Sequence, residues 1–459
     1  MRPHRPRPDG HDTQPGAPQP WLTPRVRVVL FAGLAVLLLL TGLSAPARAQ
    51  VTTTPRSFTG YGFDQCVTPT QSAMDAWLRH SPYWAVGIYI SGKSRACRVQ
   101  PNQTPAWVRK QLAGGWRILP ITLGPQASCN PRFPRYSDDV RINPSSHRSY
   151  LAARTQGRRE AASAVAAAKR LGIGPGSTLW YDIENYDSRI TSCRESALSF
   201  LSAWTVRLHQ LDYVSGVYGS ASSGIRDLDN ARVQRPGRFT LPDRIWIARW
   251  DGVANTSTSY IREDGWRPGG RMKQYVGNVR ETWGGVTINI DRNWLDVGKG
   301  STANPEREHC GGVRINFPSY PILRAGATGK HVRAGQCLLK QWASYDGPIT
   351  GTLDDATLDS LVAWRVARGL GKERVLGSRA WVSLHGSAKP RIVKFGAAGE
   401  RVRRLQRALN AAGPEKLPVT GVFAAQTTAA VKRYQGSHGL PRTGVVTEAM
   451  WRMLARGRT

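Results

Sequence analysis

Residues 178–184, Thr-Leu-Trp-Tyr-Asp-Ile-Glu, form a short apolar run that ends in two carboxylates. Side chains at positions i and i+2 of a β-strand point to the same side, so we expect Asp182 and Glu184 to face the same way. Carboxylates that lie close together push their pKa values apart, which keeps one of them protonated at neutral pH. An acid paired with a base in this way is what hydrolysis of a glycosidic bond requires.

Seven further runs of this kind lie between residues 58 and 298, and helical patterns separate several of them. The runs are Tyr61–Gln65, Trp84–Ile90, Trp116–Leu123, Val214–Gly219, Arg244–Trp250, Arg271–Val276 and Val286–Asp291. The helical patterns cover Pro105–Ala113, Thr155–Leu171 and Cys193–Gln210. Eight strand-like runs alternating with helices predict an α/β fold, a (β/α)8 TIM-type barrel over residues 58–298. A doubly wound open sheet is the alternative, although the sequence shows neither its Gly-x-Gly-x-x-Gly turn nor a phosphate loop.

Polar and aromatic residues concentrate where these predicted strands end, which is where barrels of this type carry their chemistry. The candidate catalytic residues are Asp64, Asp182, Glu184 and Asp291. The candidate substrate-binding residues are Tyr181, Tyr218, Trp250, Asp251, Gln274 and Tyr275, since aromatic rings stack against sugar faces. The structural alternative is that these acids cap helices or pair with arginine, and that the aromatic side chains only pack.

The last 140 residues contain a duplicated unit with a period of 70 residues. We call residues 316–386 repeat 1 and residues 391–457 repeat 2. The matched pairs are Gly326 and Gly396, Gly329 and Gly399, Val332 and Val402, Thr350 and Thr420, Trp364 and Tyr434, Gly369 and Gly439, and Trp381 and Trp451. Apolar residues three or four apart, such as Val402, Leu405 and Leu409, predict small helical units.

Repeat 2 resembles the peptidoglycan-binding-like domain at nearly every signature position. These positions include Leu405-Gln406, Thr420-Gly421, Tyr434-Gln435, Gly439-Leu440, Thr443-Gly444 and Trp451. Repeat 1 departs from the pattern at Cys337 and at Arg365, which stands where repeat 2 has Gln435. The resemblance therefore implies wall binding by repeat 2 and a degenerate domain, with the fold kept, for repeat 1.

The predicted barrel resembles the glycoside-hydrolase-like family called domain of unknown function 1906. The residues that carry the likeness are Gly62–Cys66, Trp180–Glu184, Tyr213–Tyr218 and Ile247–Trp250. More distantly, the candidate acids fall where glycoside hydrolase family 25 muramidases keep their catalytic residues. That likeness implies that Glu184 is the general acid. It implies that Asp182 and Asp291 position or stabilise the reacting sugar, while Asp64 completes the floor of the site.

Residues 1–49 have the organisation of a signal peptide. A basic start precedes the apolar run Val28–Leu40 and the small-residue site Ala47-Arg48-Ala49. An uncleaved membrane anchor is the alternative. Six cysteines follow, which suits disulfides in an exported protein, and six cysteines allow 15 pairings. Sequence order suggests Cys66–Cys97, Cys129–Cys193 and Cys310–Cys337.

The net charge is +33, so the surface is expected to attract polyanions. For an exported protein these are peptidoglycan or other cell-wall glycans, anionic wall polymers and the membrane surface, and nucleic acid is not expected. Histidines lack metal-ligand spacing, so we expect no metal and no cofactor, and we expect a monomer.

Three hypotheses for function remain open. The first is a secreted hydrolase of peptidoglycan glycan strands, lysozyme- or muramidase-like if the barrel turns over substrate. The second is a non-catalytic wall-binding protein with a pseudoenzyme barrel. The third is a polyanion-binding surface protein in which charge alone matters.

Overall fold

The computed structural model describes residues 53–342 and 344–459, so the predicted signal peptide lies outside the described residues. Eight strands close into a barrel in sequence order, which confirms the predicted α/β barrel. The strands are β1 (Phe58–Asp64), β2 (Ala85–Ser91), β3 (Arg117–Thr122), β4 (Thr178–Ile183), β5 (Val214–Ser220), β6 (Arg244–Ala248), β7 (Gly270–Trp283) and β8 (Val286–Val297). The helices around them are α1 (Gln71–His80), α2 (Pro105–Gly114), α3 (His147–Arg170), α4 (Thr191–His209) and α5 (Gly224–Gln234). None of the helices in these described ranges is both long and apolar enough to cross a membrane.

The eighth strand departs from the expected all-parallel pattern. Strands β1 to β7 pair in parallel order, whereas β8 runs antiparallel to both β7 and β1. The turn Gly284-Gly285 joins β7 to β8, and both glycines have a positive φ, of 59° and 78°. Parallel strands need a crossover of a dozen or more residues, which this two-residue turn cannot supply. Strand β8 therefore runs back along the barrel in the opposite direction to β7. It extends beyond the predicted run Val286–Asp291 to Val297, so Asp291 lies inside β8.

Two tryptophans are among the largest side chains of the apolar cluster inside the barrel. Trp180 and Trp246 lie edge to face with ring centroids 5.5 Å apart. Gly216 passes beside them, and a Cβ at that position would come within 2.4 Å of the Trp180 ring. Alternation along β4 then places Asp182 above Trp180 on the inner side, at the end of the barrel where the parallel strands finish. We call this end the mouth.

The two repeats have matching helices and share one apolar core. Repeat 1 contains α6 (Lys330–Gln341), α7 (Asp355–Ala367) and α8 (Ser378–Gly386), and repeat 2 contains α9 (Glu400–Ala412), α10 (Ala425–Ser437) and α11 (Glu448–Ala455). In each repeat a glutamine closes the turn between the first two helices. Gln336 Oε1 accepts from the Gly351 N–H at 2.9 Å, and Gln406 Oε1 accepts from the Gly421 N–H at 3.0 Å. These signature residues thus stabilise the fold of each repeat.

Three disulfides join Cys66 to Cys97, Cys129 to Cys193 and Cys310 to Cys337, which confirms the pairing suggested by sequence order. The first ties the loop after β1 to the loop after β2. The third ties the segment before repeat 1 to α6, which accounts for the unusual Cys337 in that repeat. Each closed loop reduces the conformational freedom of the unfolded chain and so stabilises the fold.

Repeat 2 docks on the barrel through Lys394, which is only 1% exposed. Its Nζ donates to Leu78 O at 3.0 Å and to Ser81 O at 2.9 Å, at the C-terminal end of α1. It also lies 4.6 Å from the centre of the Trp84 ring and 5.1 Å from that of Trp116. Burial lowers the pKa of Lys394 well below its usual range, while the helix end and the two ring faces favour its cation. Because α1 ends at the end of the barrel opposite the mouth, repeat 2 is attached there.

Lys394→Ala is expected to weaken this docking, because two buried carbonyls would lose their donor. A loss of roughly 1–3 kcal/mol is typical for such a change. Thermal unfolding followed by tryptophan fluorescence measures it, since Trp84 and Trp116 flank the ammonium group. The exposed Lys416→Ala is the matched control, and equal melting curves for the two variants would contradict the docking role of Lys394.

Candidate active site

The end of β4 is clamped by a single glutamine. Gln126 Nε2 donates to the Asp182 carbonyl at 2.8 Å, and Gln126 Oε1 accepts from the Glu184 N–H at 2.7 Å. The side chain of Gln126 therefore makes hydrogen bonds to the β4 backbone like those of a neighbouring strand, at the point where β4 reaches the mouth. This fixes the backbone that carries both of the predicted carboxylates.

Gln274, on β7, connects the aromatic and the acidic sides of the mouth. Its Oε1 accepts from the Tyr218 hydroxyl at 2.9 Å and from Trp250 Nε1 at 2.8 Å. Its Nε2 donates to Asp64 Oδ1 at 3.2 Å and to Asp291 Oδ2 at 3.2 Å. One amide thus holds four predicted site residues in a single network.

Asn293 completes the environment of Asp64. Its Nδ2 donates to Asp64 Oδ1 at 2.6 Å, and its Oδ1 accepts from Trp246 Nε1 at 2.8 Å. Trp246 is one of the two tryptophans inside the barrel, so the carboxylate is oriented by the core itself. The neighbouring Asp291 accepts from the Asn278 N–H at 2.6 Å.

Burial and mutual repulsion raise the pKa values of three of the acids. Burial, and then the charge of Asp291, raises the pKa of Asp64 to about 8. The pKa of Asp182 is raised well above its usual range by burial and by the charge of Glu184, and that of Asp291 is raised by burial. Burial therefore disfavours the ionised form of these three carboxyls, and the charge of a neighbouring carboxylate adds to this effect at Asp64 and Asp182.

Asp182 has only one side-chain hydrogen-bond donor among the described residues. The Tyr89 hydroxyl donates to Asp182 Oδ2 at 3.2 Å, whereas Asp182 Oδ1 is buried without a partner. A carboxyl in this setting is favoured in its neutral form, because a buried charge needs several donors.

Glu184 lies between two cavities of the mouth. The first, lobe 1, has a volume of about 270 Å³ and is lined by Glu184, Tyr218, Ser220, Arg249, Trp250 and Tyr260, among others. The second, lobe 2, has a volume of about 220 Å³ and is lined by Glu184, Asp64, Asp291, Tyr89, Arg95 and Arg135, among others. Glu184 is shared by both lobes, so a chain of sugars lying across them would pass over this carboxylate.

Two of the predicted binding residues point away from the mouth, and a third is held in an ion pair. Tyr181 is fully buried among the helices, where its hydroxyl donates to Pro125 O at 2.6 Å. Tyr275 is buried on the outer side of β7, because it alternates with the inward Gln274. Asp251, in the loop between β6 and β7, accepts from Lys273 Nζ at 2.9 Å. Strand alternation therefore turns Tyr181 and Tyr275 away from the mouth, and Asp251 is held in an ion pair with Lys273.

Several residues of the mouth were missed in the sequence. Asn293 follows Asp291 by two residues, so it would have been found if β8 had been continued past Asp291. Tyr89 lies in the predicted run Trp84–Ile90 and could have been found by alternation. Arg95 and Arg135 lie in loops, and only the disulfide at Cys97 hints that Arg95 is held close to the mouth.

One group of potential metal ligands lies outside the mouth. Ligand atoms of Glu306, His309 and Glu400 lie within 4.8 Å of one another. The buried guanidinium of Arg407 is ion-paired with Glu306 and lies 2.7 Å from Glu400 Oε1. This arginine already neutralises both carboxylates, so the group is explained as an ion-pair network.

Asp64→Asn is expected to flatten the dependence of stability on pH. The pKa of Asp64 rises from an ordinary value of 3.8 to about 8 on folding. Between these values the folded protein holds a proton that the unfolded chain has released, so raising the pH lowers the free energy of unfolding. The asparagine oxygen would still accept from Asn293 and Gln274, and it has no proton to lose. Denaturant unfolding at a series of pH values across this window measures the slope, and an unchanged slope would contradict the raised pKa.

Two family models match the chain. Residues 75–295 match the family described as "Rv2525c-like, glycoside hydrolase-like domain", and residues 398–454 match the family described as "Putative peptidoglycan binding domain". A search of curated proteins finds no match.

The matching solved structures include an uncharacterized protein of B. stearothermophilus. It is 17% identical with a TM-score of 0.32, and the match covers 51% of this chain and 95% of that one. They also include the Tat-secreted protein Rv2525c of Mycobacterium tuberculosis in complex with L-tartrate, at 15% identity and a TM-score of 0.34, covering 51% of this chain and 95% of that one.

The family matches agree with the resemblances carried by the sequence motifs. The first matched segment contains Asp182, Glu184, Gln274 and Asp291, and the second contains most of repeat 2. Three disulfides in the same chain indicate an extracellular protein. Residues 75–295 thus form an Rv2525c-like, glycoside hydrolase-like domain, which is followed by a peptidoglycan-binding domain at residues 398–454.

Proposed function

We propose that the protein is a secreted hydrolase of cell-wall glycan, with peptidoglycan as its substrate and repeat 2 as its wall anchor. The observation that carries the proposal is the position of Glu184, which lines both lobes of the mouth. In lobe 2 it is accompanied by a second carboxyl group, that of Asp291. Glycosidases use two carboxyl groups that flank the scissile bond. The peptidoglycan-binding domain on the same chain indicates that the substrate is a cell-wall glycan.

In this proposal Glu184 is the general acid that protonates the leaving oxygen of the glycosidic bond. Asp291 faces the same lobe and stabilises the positive charge that develops on the sugar. Asp182 and Asp64 lie deeper: Asp64 positions Asp291 through Gln274, and Asp182 orients Tyr89 in the wall of lobe 2. Tyr218 and the exposed ring of Trp250 offer stacking faces in lobe 1.

The two arginines of lobe 2 support a substrate that carries anionic groups. Arg95 and Arg135 line this lobe beside Asp64 and Asp291. Arg95 is oriented by donating to Tyr89 O at 3.0 Å, and the Cys66–Cys97 disulfide forms part of the same wall. Two guanidinium groups suit the carboxylates of muramic acid or of its peptide better than a neutral glycan. This chemistry favours an anionic wall polymer over a neutral one, and the wall-binding domain of the same chain favours peptidoglycan.

Export follows from the same proposal. Residues 1–49 would act as the signal peptide, with cleavage after Ala49, and disulfides would form outside the cytoplasm. The basic surface would then meet anionic wall polymers and membrane headgroups.

Glu184→Gln is expected to abolish the release of reducing ends from sacculi while wall binding persists. Loss of a general acid typically lowers the rate by about 10²–10⁴-fold. Purified residues 50–459 are incubated with peptidoglycan sacculi, and mass spectrometry of the soluble fraction counts new reducing ends. Co-sedimentation with the sacculi measures binding in the same samples.

Asp212→Asn is the matched control, because it makes the same carboxyl-to-amide change in the turn before β5, at the end opposite the mouth. Asp212 has a φ of 62°, which asparagine tolerates. Release that is equal in Glu184→Gln and wild type would reject Glu184 as the acid.

A non-catalytic wall-binding barrel is the second candidate. The burial of Asp182, which lines neither lobe, favours it, since one of the four acids is out of reach of a bound sugar. This candidate predicts saturable binding of sacculi with no products at any pH. Products from wild type alone would exclude it.

A further inference from the structure

A groove separates repeat 2 from the wall of the barrel and has a volume of about 420 Å³. One side is formed by Tyr61 of β1 and Trp283 at the tip of the β7–β8 hairpin. The other side is formed by α10 and the turn before α11, through Ala429, Lys432 and Gly444. The lining residues include two lysines, three aromatic rings and two threonines, and none of them is acidic.

The corresponding face of repeat 1 is closed by ion pairs. With the period of 70 residues, Ala425, Ala429 and Gly444 of repeat 2 correspond to Asp355, Asp359 and Arg374 of repeat 1. Arg374 is paired with both aspartates across that face, and its Nη2 lies 2.5 Å from Asp355 Oδ1. Repeat 1 thus carries three large charged side chains where repeat 2 has two methyl groups and a bare backbone. The open face is a property of repeat 2 alone.

The two sides of the groove are held in a fixed relation. Lys394 anchors repeat 2 to the end of α1, and Phe395 packs against Tyr61 and Trp294 with ring centroids 5.3 and 5.6 Å apart. Ser301 Oγ donates to Gly396 O at 2.7 Å, which fastens the segment after the barrel to repeat 2. A site assembled from both domains is therefore preorganised, which lowers the cost of ordering it on binding.

We propose that this groove is a second glycan-binding site, in which a carboxylate-bearing muramyl peptide lies between the barrel wall and repeat 2. The proposal rests on the proposed wall-binding function and assigns part of it to barrel residues. Trp283 and Phe395 offer faces for the apolar sides of N-acetylated sugars, and the threonines offer hydrogen bonds. Lys432 is the exposed cation that meets a stem-peptide carboxylate. Because the groove lies at the end opposite the mouth, it would hold the wall without occupying the catalytic cleft.

Ala429→Arg tests the groove by filling it. Ala429 is exposed on α10 and arginine is a good helix former, so the fold is expected to persist. Ala356→Arg is the matched control, since it places the same side chain at an exposed position of α7 in repeat 1. Both changes add one positive charge, so attraction by charge alone would strengthen binding equally in both.

We measure the affinity of the full mature chain for a soluble disaccharide-tetrapeptide by calorimetry, and for sacculi by co-sedimentation. The expected result is a loss of about tenfold or more for Ala429→Arg and no loss for Ala356→Arg. Equal affinity of Ala429→Arg and wild type would overturn the groove proposal while leaving wall binding intact. Failure of wild type to bind either probe would overturn the proposed function as well.

Lys432→Ala identifies the chemistry that is recognised. The expected result is weaker binding of the disaccharide-tetrapeptide, with unchanged binding of a neutral chitooligosaccharide. An equal loss for both probes would contradict recognition of a carboxylate, and no loss for either would remove Lys432 from the site.

Discussion

The chemistry at the mouth depends on the antiparallel pairing of β8 with β1 and β7. The register places Asp291 opposite Asp64 and Asn293 opposite Gln274. Side chains directly opposite each other in such a pair lie about 5 Å apart, which is why one amide reaches both carboxylates. A slip of one residue would turn these side chains to the other face of the sheet. The strand pairing that closes the barrel therefore also brings the acids together.

The acids of the mouth are surrounded by neutral donors, although the protein has a net charge of +33. The side-chain hydrogen bonds to Asp64 and Asp182 come from Gln274, Asn293 and Tyr89. A guanidinium in their place would hold the carboxyls ionised, whereas amides and phenols allow burial to keep protons on them. The arginines lie instead around the lobes, where they can meet a ligand. The buried acids are thus bonded to neutral side chains, whereas the arginines lie where they can attract an anionic substrate.

Much of the architecture could be predicted because it follows from local patterns. The eight apolar runs, the strand-end acids and the repeat period were all visible in the sequence, and the sequence order of the cysteines suggested their pairing. The direction of β8 was not visible, because a run of alternating residues does not show whether its strand runs up or down. Asp291 still reaches the mouth, since an antiparallel strand that passes the mouth can present an inner residue there.

Tyr181 and Tyr275 lie away from the mouth for a different reason. Each is adjacent in sequence to a residue of the mouth, and the alternation that brings Asp182 and Gln274 inward turns these neighbours outward. The same rule that paired Asp182 with Glu184 would have excluded Tyr181. Asp251 could not have been excluded in this way, because its partner Lys273 is brought to it by the pairing of β6 with β7.

The two repeats share a fold but differ in the face that is open to a ligand. Both copies keep the glutamine that closes the first turn, so that interaction belongs to the fold. Repeat 1 adds the Cys310–Cys337 disulfide, which restrains it, and the exposed Arg374 ion pairs, which cover the matched face. Repeat 2 has small residues at the matched face and uses Lys394 to dock on the barrel instead. This docking places the outer wall of the barrel along one side of the proposed groove. In the proposal the barrel therefore contributes to wall binding in addition to carrying the acids of the mouth.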